Sequence, residues 1–185
     1  MGRWMSADAA PAPAPPPLPN RADIAIVGGG LAGGLIALAL AKWQPQLHVE
    51  LIDGGASFGG NHVWSFFAVG DAGDGAALLE PLIAQRWDGY DVAFPAHRRS
   101  LATGYASITS ELLDAELRRV LGDRARSGVA VTALSATSVT LADGRLLEAG
   151  AVIDARGAGD EVAAYRGGWQ KFVGRTLRLE VPHGL

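Results

Sequence analysis

The chain has 185 residues, 49% of them hydrophobic and 19% charged, with 25 glycines, 10 prolines and no cysteine. That length supports one good core, the apolar content excludes a wholly disordered chain, and the lack of cysteine excludes a disulfide framework, a thiolate metal site and a cysteine nucleophile. A formal net charge of −3, from 16 basic and 19 acidic residues, offers no polyanion-binding surface, so nucleic acid is not an expected partner.

Six of the ten prolines fall between Pro11 and Pro19. Proline fixes φ and removes a donor, so residues 1–20 read as a Pro/Ala-rich, disordered leader. It has no apolar core of the kind a secretory signal needs. Gly2 to Ser6 fits the loose myristoylation pattern, which is short and matches often by chance.

The stretch from Ile24 to Ala41 contains no charge and is long enough for a membrane span to be weighed. Gly28, Gly29 and Gly30 interrupt it, however. The β-branched run Asp23–Val27 before them and the good helix formers Leu31–Ala41 after them read as strand, tight turn and buried helix. Val49–Asp53 is a second short strand, and Gly54–Gly60, with four glycines, is a loop. Ala76–Gln85 reads as a short helix that Pro81 kinks or ends. Tyr90–Phe94 and Ser100–Ala102 read as short strands. Ser107, Thr109 and Ser110 offer caps for a helix to about Leu121, with Leu113, Leu117, Val120 and Leu121 at helical spacing and Gly122 as the stop. Val129–Ala133 is a strand. Ser138–Leu141 and Arg145–Glu148 flank Asp143-Gly144 as a hairpin, Ala151–Asp154 is a short apolar strand, and 170–181 has strand character.

Gly28-x-Gly30-x-x-Gly33 thus follows a strand and opens a helix. The first glycine permits the turn, the second lets backbone approach a pyrophosphate, and the third lets helix pack on strand. The helix N-terminus, at Leu31 and Ala32, presents N–H groups and a positive dipole end to phosphates. Asp53 closes the second strand 20 residues after Gly33, where a carboxylate can accept from a ribose diol. A glycine turn can also simply pack helix on strand; its position between strand and helix, together with the acid at the end of the next strand, makes nucleotide binding the better reading. The candidate binding residues are Gly28, Gly29, Gly30, Leu31, Ala32, Gly33 and Asp53. They do not distinguish NAD from FAD. The long mixed segment after the second strand, and the later hairpin running into Asp154-Ala-Arg-Gly157, resemble the FAD domain of glutathione-reductase-type flavoproteins, which adds Asp154 and Gly157 as cofactor-binding candidates.

The chain further resembles the bacterial lycopene cyclases. The likeness runs through Asp23–Leu40, Asn61-His-Val-Trp-Ser-Phe66, Phe94-Pro95, Leu101-Ala-Thr-Gly-Tyr105, Asp154-Ala-Arg-Gly157 and Gly168-Trp-Gln-Lys-Phe-Val-Gly174. The glycine motif is widely shared; the other segments are far more particular. The resemblance implies an α/β fold: a Rossmann-like FAD-binding domain of glutathione-reductase type over residues 21–167, with an inserted segment at about 60–105. Residues 168–185 would then begin an inserted antiparallel substrate-domain sheet.

The resemblance also implies reduced FAD, with NAD(P)H as reductant and lycopene or a related acyclic carotenoid as substrate. A carboxylic acid protonates the terminal double bond, the cation closes a ring, and proton loss gives the β-end group without net redox change. The family's proposed acid belongs to a motif that would lie beyond Leu185; Glu180 does not sit in it. Trp64 offers an aromatic face for cation–π stabilisation or is an ordinary buried aromatic, and His62 offers a proton or an orienting hydrogen bond or simply bonds within its loop. His48, His97 and His183 form no metal-ligand spacing, so no metal is expected. A bilayer-borne substrate implies a cytoplasmic protein with peripheral contact at the inner face of the membrane. The alternatives are an FAD-dependent hydroxylase or polyprenyl reductase, and an inactive nucleotide-binding fragment.

Overall fold

The structure, a computed structural model, describes Pro17 and residues 19–67 and 73–157. The leader over residues 1–16, the strand read into 170–181 and the likeness at 168–174 lie outside the described residues, as do Glu180 and His183.

In chain order the elements are β1 (Arg21–Val27), α1 (Leu31–Trp43), β2 (Val49–Ile52), β3 (Val63–Phe67), α2 (Asp74–Leu79), β4 (Ile83–Trp87), β5 (Tyr90–Phe94), β6 (His97–Leu101), β7 (Tyr105–Thr109), α3 (Ser110–Leu121), β8 (Ala125–Arg126), β9 (Val131–Leu134), β10 (Ser138–Leu141) and β11 (Leu146–Asp154). Six strands form one sheet in the order β8-β2-β1-β11-β10-β9. β1 is parallel to both neighbours, with Val27 level with Ile52 on one side and Asp154 on the other. A strand covered on both faces reads as a near-continuous apolar run, as in Asp23–Val27, where Ala25 and Ile26 are fully buried.

α1 is apolar nearly all round because it lies against the sheet on one side and α3 on the other. A Cβ on Gly34 would stand 3.1–3.2 Å from Leu113 and Leu117 Cδ1, so the glycine permits this close helix approach. α3 has the helical periodicity expected of it. Leu113, Leu117 and Leu121 are buried, Thr109 Oγ1 accepts the Leu112 N–H at 3.4 Å, and Gly122 at φ +56° ends the helix. The core joins Ile26, Leu38, Leu51, Leu113 and Leu117 with Phe58, which comes from the glycine-rich loop.

A second sheet, β3-β7-β4, was not legible as such. Val63–Phe67 pairs with Tyr105–Thr109 across about forty residues, a long-range contact with no local signal. Trp64, Phe66, Ala106 and Ile108 turn towards the core, while Ser65 and Ser107 bond through their hydroxyls at 2.7 Å. Ser107 therefore lies inside β7, and Thr109 is the cap.

Other boundaries differ for identifiable reasons. The helix expected over Ala76–Gln85 stops at Leu79, and a single tight turn, Glu80–Leu82, follows it. Pro81 cannot continue the ladder, and Ile83–Trp87 is taken by antiparallel pairing with β7. The strand expected from Val129 begins at Val131, because the Val129 N–H donates instead to the Asp53 carbonyl at 2.9 Å. The hairpin at Asp143-Gly144 forms as expected. Its second arm continues without a break into Ala151–Asp154, so two expected strands are one, β11. β5 and β6 pair only with each other among the described residues. No described helix is long and apolar enough to cross a membrane.

One buried ionic cluster sits between β2 and β8. Glu50, 1% exposed, accepts from Arg126 Nε at 2.7 Å and lies 2.9 Å from His48 Nε2. The 76-residue separation between Glu50 and Arg126 gives no hint of it in the sequence.

Candidate functional site

The carboxyl ends of the parallel strands β1, β2 and β11 open on a cleft of about 630 Å³, the position at which open α/β sheets bind ligands. The β1–α1 turn forms its floor through Gly28, Gly30, Leu31 and Ala32. Asp53 and the loop after it form one wall, Val129–Val131 another, and Ala155, Arg156 and Gly157 close the end.

Each motif glycine answers a different steric demand. Gly28 has φ +107°, and a Cβ there would meet the Ala155 carbonyl atoms at 2.4 Å. A Cβ on Gly33 would come 1.9 Å from the Gly28 carbonyl oxygen, so α1 packs on the turn with no room for a methyl. Gly29 faces away from the cleft, against Phe58 Cδ1 at 2.2 Å from an ideal Cβ. Gly30 is the opposite case. Its φ of −68° is open to any residue, and a Cβ would have nothing within 4 Å, because it would stand in the cleft. Backbone geometry does not require glycine here; an approaching ligand would. Gly30 is the N-cap of α1, with no side-chain cap hydrogen bond. The first-turn N–H groups, which have no intrahelical acceptor, therefore face the cavity with the positive end of a 13-residue helix.

Asp53 is held by backbone donors: Oδ2 accepts the Gly29 N–H at 2.6 Å and Oδ1 the Gly55 N–H at 2.7 Å. An ionised carboxylate offers about four lone-pair sites, so two remain for hydroxyl donors. Sequence reasoning placed Asp53 opposite a ribose; the structure shows that it also laces the glycine turn to the following loop. Further bonds complete the lacing: Gly28 N–H to the Ile52 carbonyl (2.8 Å), Gly59 N–H to Gly29 (2.8 Å) and Ala155 N–H to Val27 (2.7 Å).

Asp154 does not line the cleft. Its carboxylate receives Arg156 Nε and Nη2 at 2.8 and 2.7 Å and the Arg156 N–H at 3.2 Å. These bonds hold its pKa down to about 2 against the ordinary 3.8. It is Arg156, not singled out in the sequence, that reaches the cavity, with Asp154 fixing the guanidinium. The signal was present: an arginine two residues after the last strand residue, beside Gly157 at φ +79°.

His62 stands at the rim, exposed, with its ring stacked 5.6 Å from that of Trp64. Trp64 turns towards the core and does not line the cleft. Gly28, Gly30, Leu31, Ala32, Asp53 and Gly157 share the cleft wall, whereas Gly29, Gly33 and Asp154 act from behind it. No cluster of metal-ligating side chains occurs among the described residues.

The family model described as "Lycopene cyclase protein" matches residues 23–185. Relatives include the lycopene beta-cyclases of Pseudescherichia vulneris, 47% identical over 163 residues, and Pantoea ananas, 41% identical over 163 residues. Each alignment covers 88% of this chain and 42% of the relative, so the chain spans less than half the length of these proteins. Among solved structures, the rebeccamycin biosynthetic enzyme RebC with reduced flavin is similar at TM-score 0.53 and 18% identity, covering 74% of this chain and 33% of that one. The 2-methyl-3-hydroxypyridine-5-carboxylic acid oxygenase matches at TM-score 0.53 and 21% identity, over 72% and 38%. These structures share the mixed α/β fold of this chain. With the family match running from the first residues of β1 to the last residue of the chain, the protein belongs to the lycopene cyclase family.

Proposed function

We propose that this chain is the dinucleotide-binding part of a flavin-dependent lycopene β-cyclase, and that its cleft holds FAD. The observation that carries the reading is Gly30: a glycine that its own backbone does not require, at an uncapped helix N-terminus, beside a carboxylate at the end of the next strand. That arrangement fits a pyrophosphate over Gly28–Ala32 and a ribose hydroxyl on Asp53. Arg156, its guanidinium paired with Asp154, closes the far end. The likeness to RebC, solved with reduced flavin, and to the lycopene beta-cyclases supports FAD in particular, within a glutathione-reductase-type arrangement.

Reduced flavin supplies negative charge beside the cation that forms when a carotenoid end group is protonated and closes its ring. The residues of this chain bind and orient. The glycine turn and Asp53 fix the nucleotide end, and His62 at the rim lies where a proton or an orienting hydrogen bond is useful. The reductant in this reading is NAD(P)H. The substrate is lycopene or a related acyclic carotenoid, reached by peripheral contact of a cytoplasmic protein with the inner membrane face. The inserted segment at about 60–105 and the chain after 168 belong to the substrate side.

The test is in two steps. FAD is titrated into the purified chain and followed by flavin fluorescence, with ADP as competitor; saturable, ADP-sensitive binding is expected, and its absence refutes the nucleotide reading. The pigments of lycopene-accumulating bacterial cells are then compared with and without the gene extended to the length of its relatives. Cyclic carotenoid from the extended gene is expected, and unchanged lycopene with soluble, FAD-loaded protein refutes the cyclase reading.

A further inference from the structure

Asp114 and Arg118 of α3 grip both walls of the cleft without lining it. On one side, Asp114 Oδ1 accepts the Phe58 N–H at 2.8 Å. Phe58 is fully buried, its ring lies against Gly29, and the next N–H, that of Gly59, donates to the Gly29 carbonyl at 2.8 Å. On the other side, Arg118 bonds Asp114 through Nε and Nη2 at 2.8 and 3.0 Å, and Nη2 also reaches Ser127 Oγ at 2.9 Å. Ser127 stands in the turn whose Gly128 N–H donates to the Gly55 carbonyl at 2.6 Å and whose Val129 N–H donates to Asp53. The guanidinium lies 5.3 Å from the centre of the Phe58 ring, within cation–π range.

We propose that the Asp114–Arg118 pair is a positioning element for the cofactor cleft. It presses the Phe58 loop against the back of Gly29 and ties the 126–129 turn to the same helix. The Gly28–Gly30 turn and the Asp53 carboxylate are thereby in place before a dinucleotide arrives, which removes an ordering cost from binding. The inference rests on the dinucleotide reading above and extends it to a helix whose sequence carries no nucleotide motif. A planar two-point fork is what the geometry uses, and lysine does not reproduce it.

The test compares the wild-type chain with D114A, D114N, R118K and a control on the same helix, E116A, whose carboxylate pairs with Arg119 and touches neither wall. Two readouts are taken well below the melting temperature: FAD affinity by flavin fluorescence, and hydrogen exchange of the FAD-free chain. D114A is expected to speed exchange at the Phe58 and Gly59 amides and to weaken FAD binding about tenfold or more, ~1.4 kcal/mol per tenfold. D114N keeps an oxygen for the Phe58 N–H but loses the ion pair, so it and R118K should fall between wild type and D114A. E116A should match wild type in both readouts. A purely structural role would lower stability while leaving affinity at that temperature unchanged. Wild-type affinity in D114N and R118K, or unchanged exchange at Phe58 in D114A, overturns the proposal; if D114A does not fold, the other two variants decide. Wild-type chain that binds no FAD overturns the dinucleotide reading and the cofactor role with it, while the exchange data still report whether Asp114 holds the loop.

Discussion

Substituting alanine at Gly30 and at Gly33 separates binding from folding within one motif. At Gly33 the new Cβ would stand 1.9 Å from a backbone carbonyl oxygen, where real Cβ contacts stay beyond 3.0 Å. α1 must therefore retreat by about 1 Å from a turn that cannot yield, loosening the contacts of Ala37 and Leu38 with the sheet. Overpacking of this kind costs ~1–3 kcal/mol, and contact with rigid backbone puts it at the upper end. Helix propensity returns ~1 kcal/mol, leaving a net loss of about 2 kcal/mol, or ~4–8 °C in Tm for a chain of this size. At Gly30 the same methyl meets nothing within 4 Å and φ is already −68°. G30A should thus melt within ~1 kcal/mol of wild type, the difference between glycine and alanine at an N-cap, yet bind FAD at least about tenfold more weakly. Circular-dichroism melts without FAD, paired with fluorescence titrations at 20 °C, measure both. G33A as stable as wild type, or G30A with undiminished FAD affinity, would refute the steric reasoning.

Three more expectations rest on the side chains around the cleft. D53N should weaken FAD binding and loosen the loop, since an asparagine amide can accept from Gly29 or Gly55 but presents a donor to the other; exchange rates of those two amides report it. E50A should lose about 3–5 kcal/mol, as is typical when a buried ion pair forfeits one partner, because Arg126 is itself nearly buried; urea denaturation measures this, and E50Q should lose less. The Asp154 carboxyl is held near 2 by Arg156, below its ordinary 3.8, so its contribution is present above about pH 4 and fades as pH falls towards 2. The urea midpoint of wild type should therefore drop more steeply over that range than that of D154N, which has no such group to protonate.

The legible and the illegible parts of this fold divide by the range of the contact that decides them. β1, the glycine turn, α1 and β2 follow one another within about thirty residues, and local propensity, period and turn chemistry agree there. α3, its threonine cap and its glycine stop are similarly local. β3 and β7 escaped because each is defined by the other across about forty residues, and Tyr105–Thr109 carries cap-like residues that suit either state. The strand at Ile83–Trp87 was masked in the same way, by a short apolar run whose period does not separate helix from strand. Of the site, the glycines and Asp53 could be read because they fall within one local strand–turn–helix–strand unit, where turn and packing geometry fix their spacing. Phe58, Asp114 and Arg118 act on the cleft through three-dimensional neighbours, and no spacing announces that role.

β11 has a consequence for how the molecule comes into being. Its residues lie alongside β1, with Arg21 level with Glu148, so the centre of the main sheet joins positions 127 apart in the chain. During translation β1, α1 and β2 emerge early, and one edge of β1 waits for β11 through that interval, roughly 6–25 s at ~5–20 residues per second. Such a late closure makes the nascent sheet edge a template for unintended strand pairing. Elongation rate and chaperone access over this window, rather than the final stability alone, should then govern how much soluble protein a cell recovers.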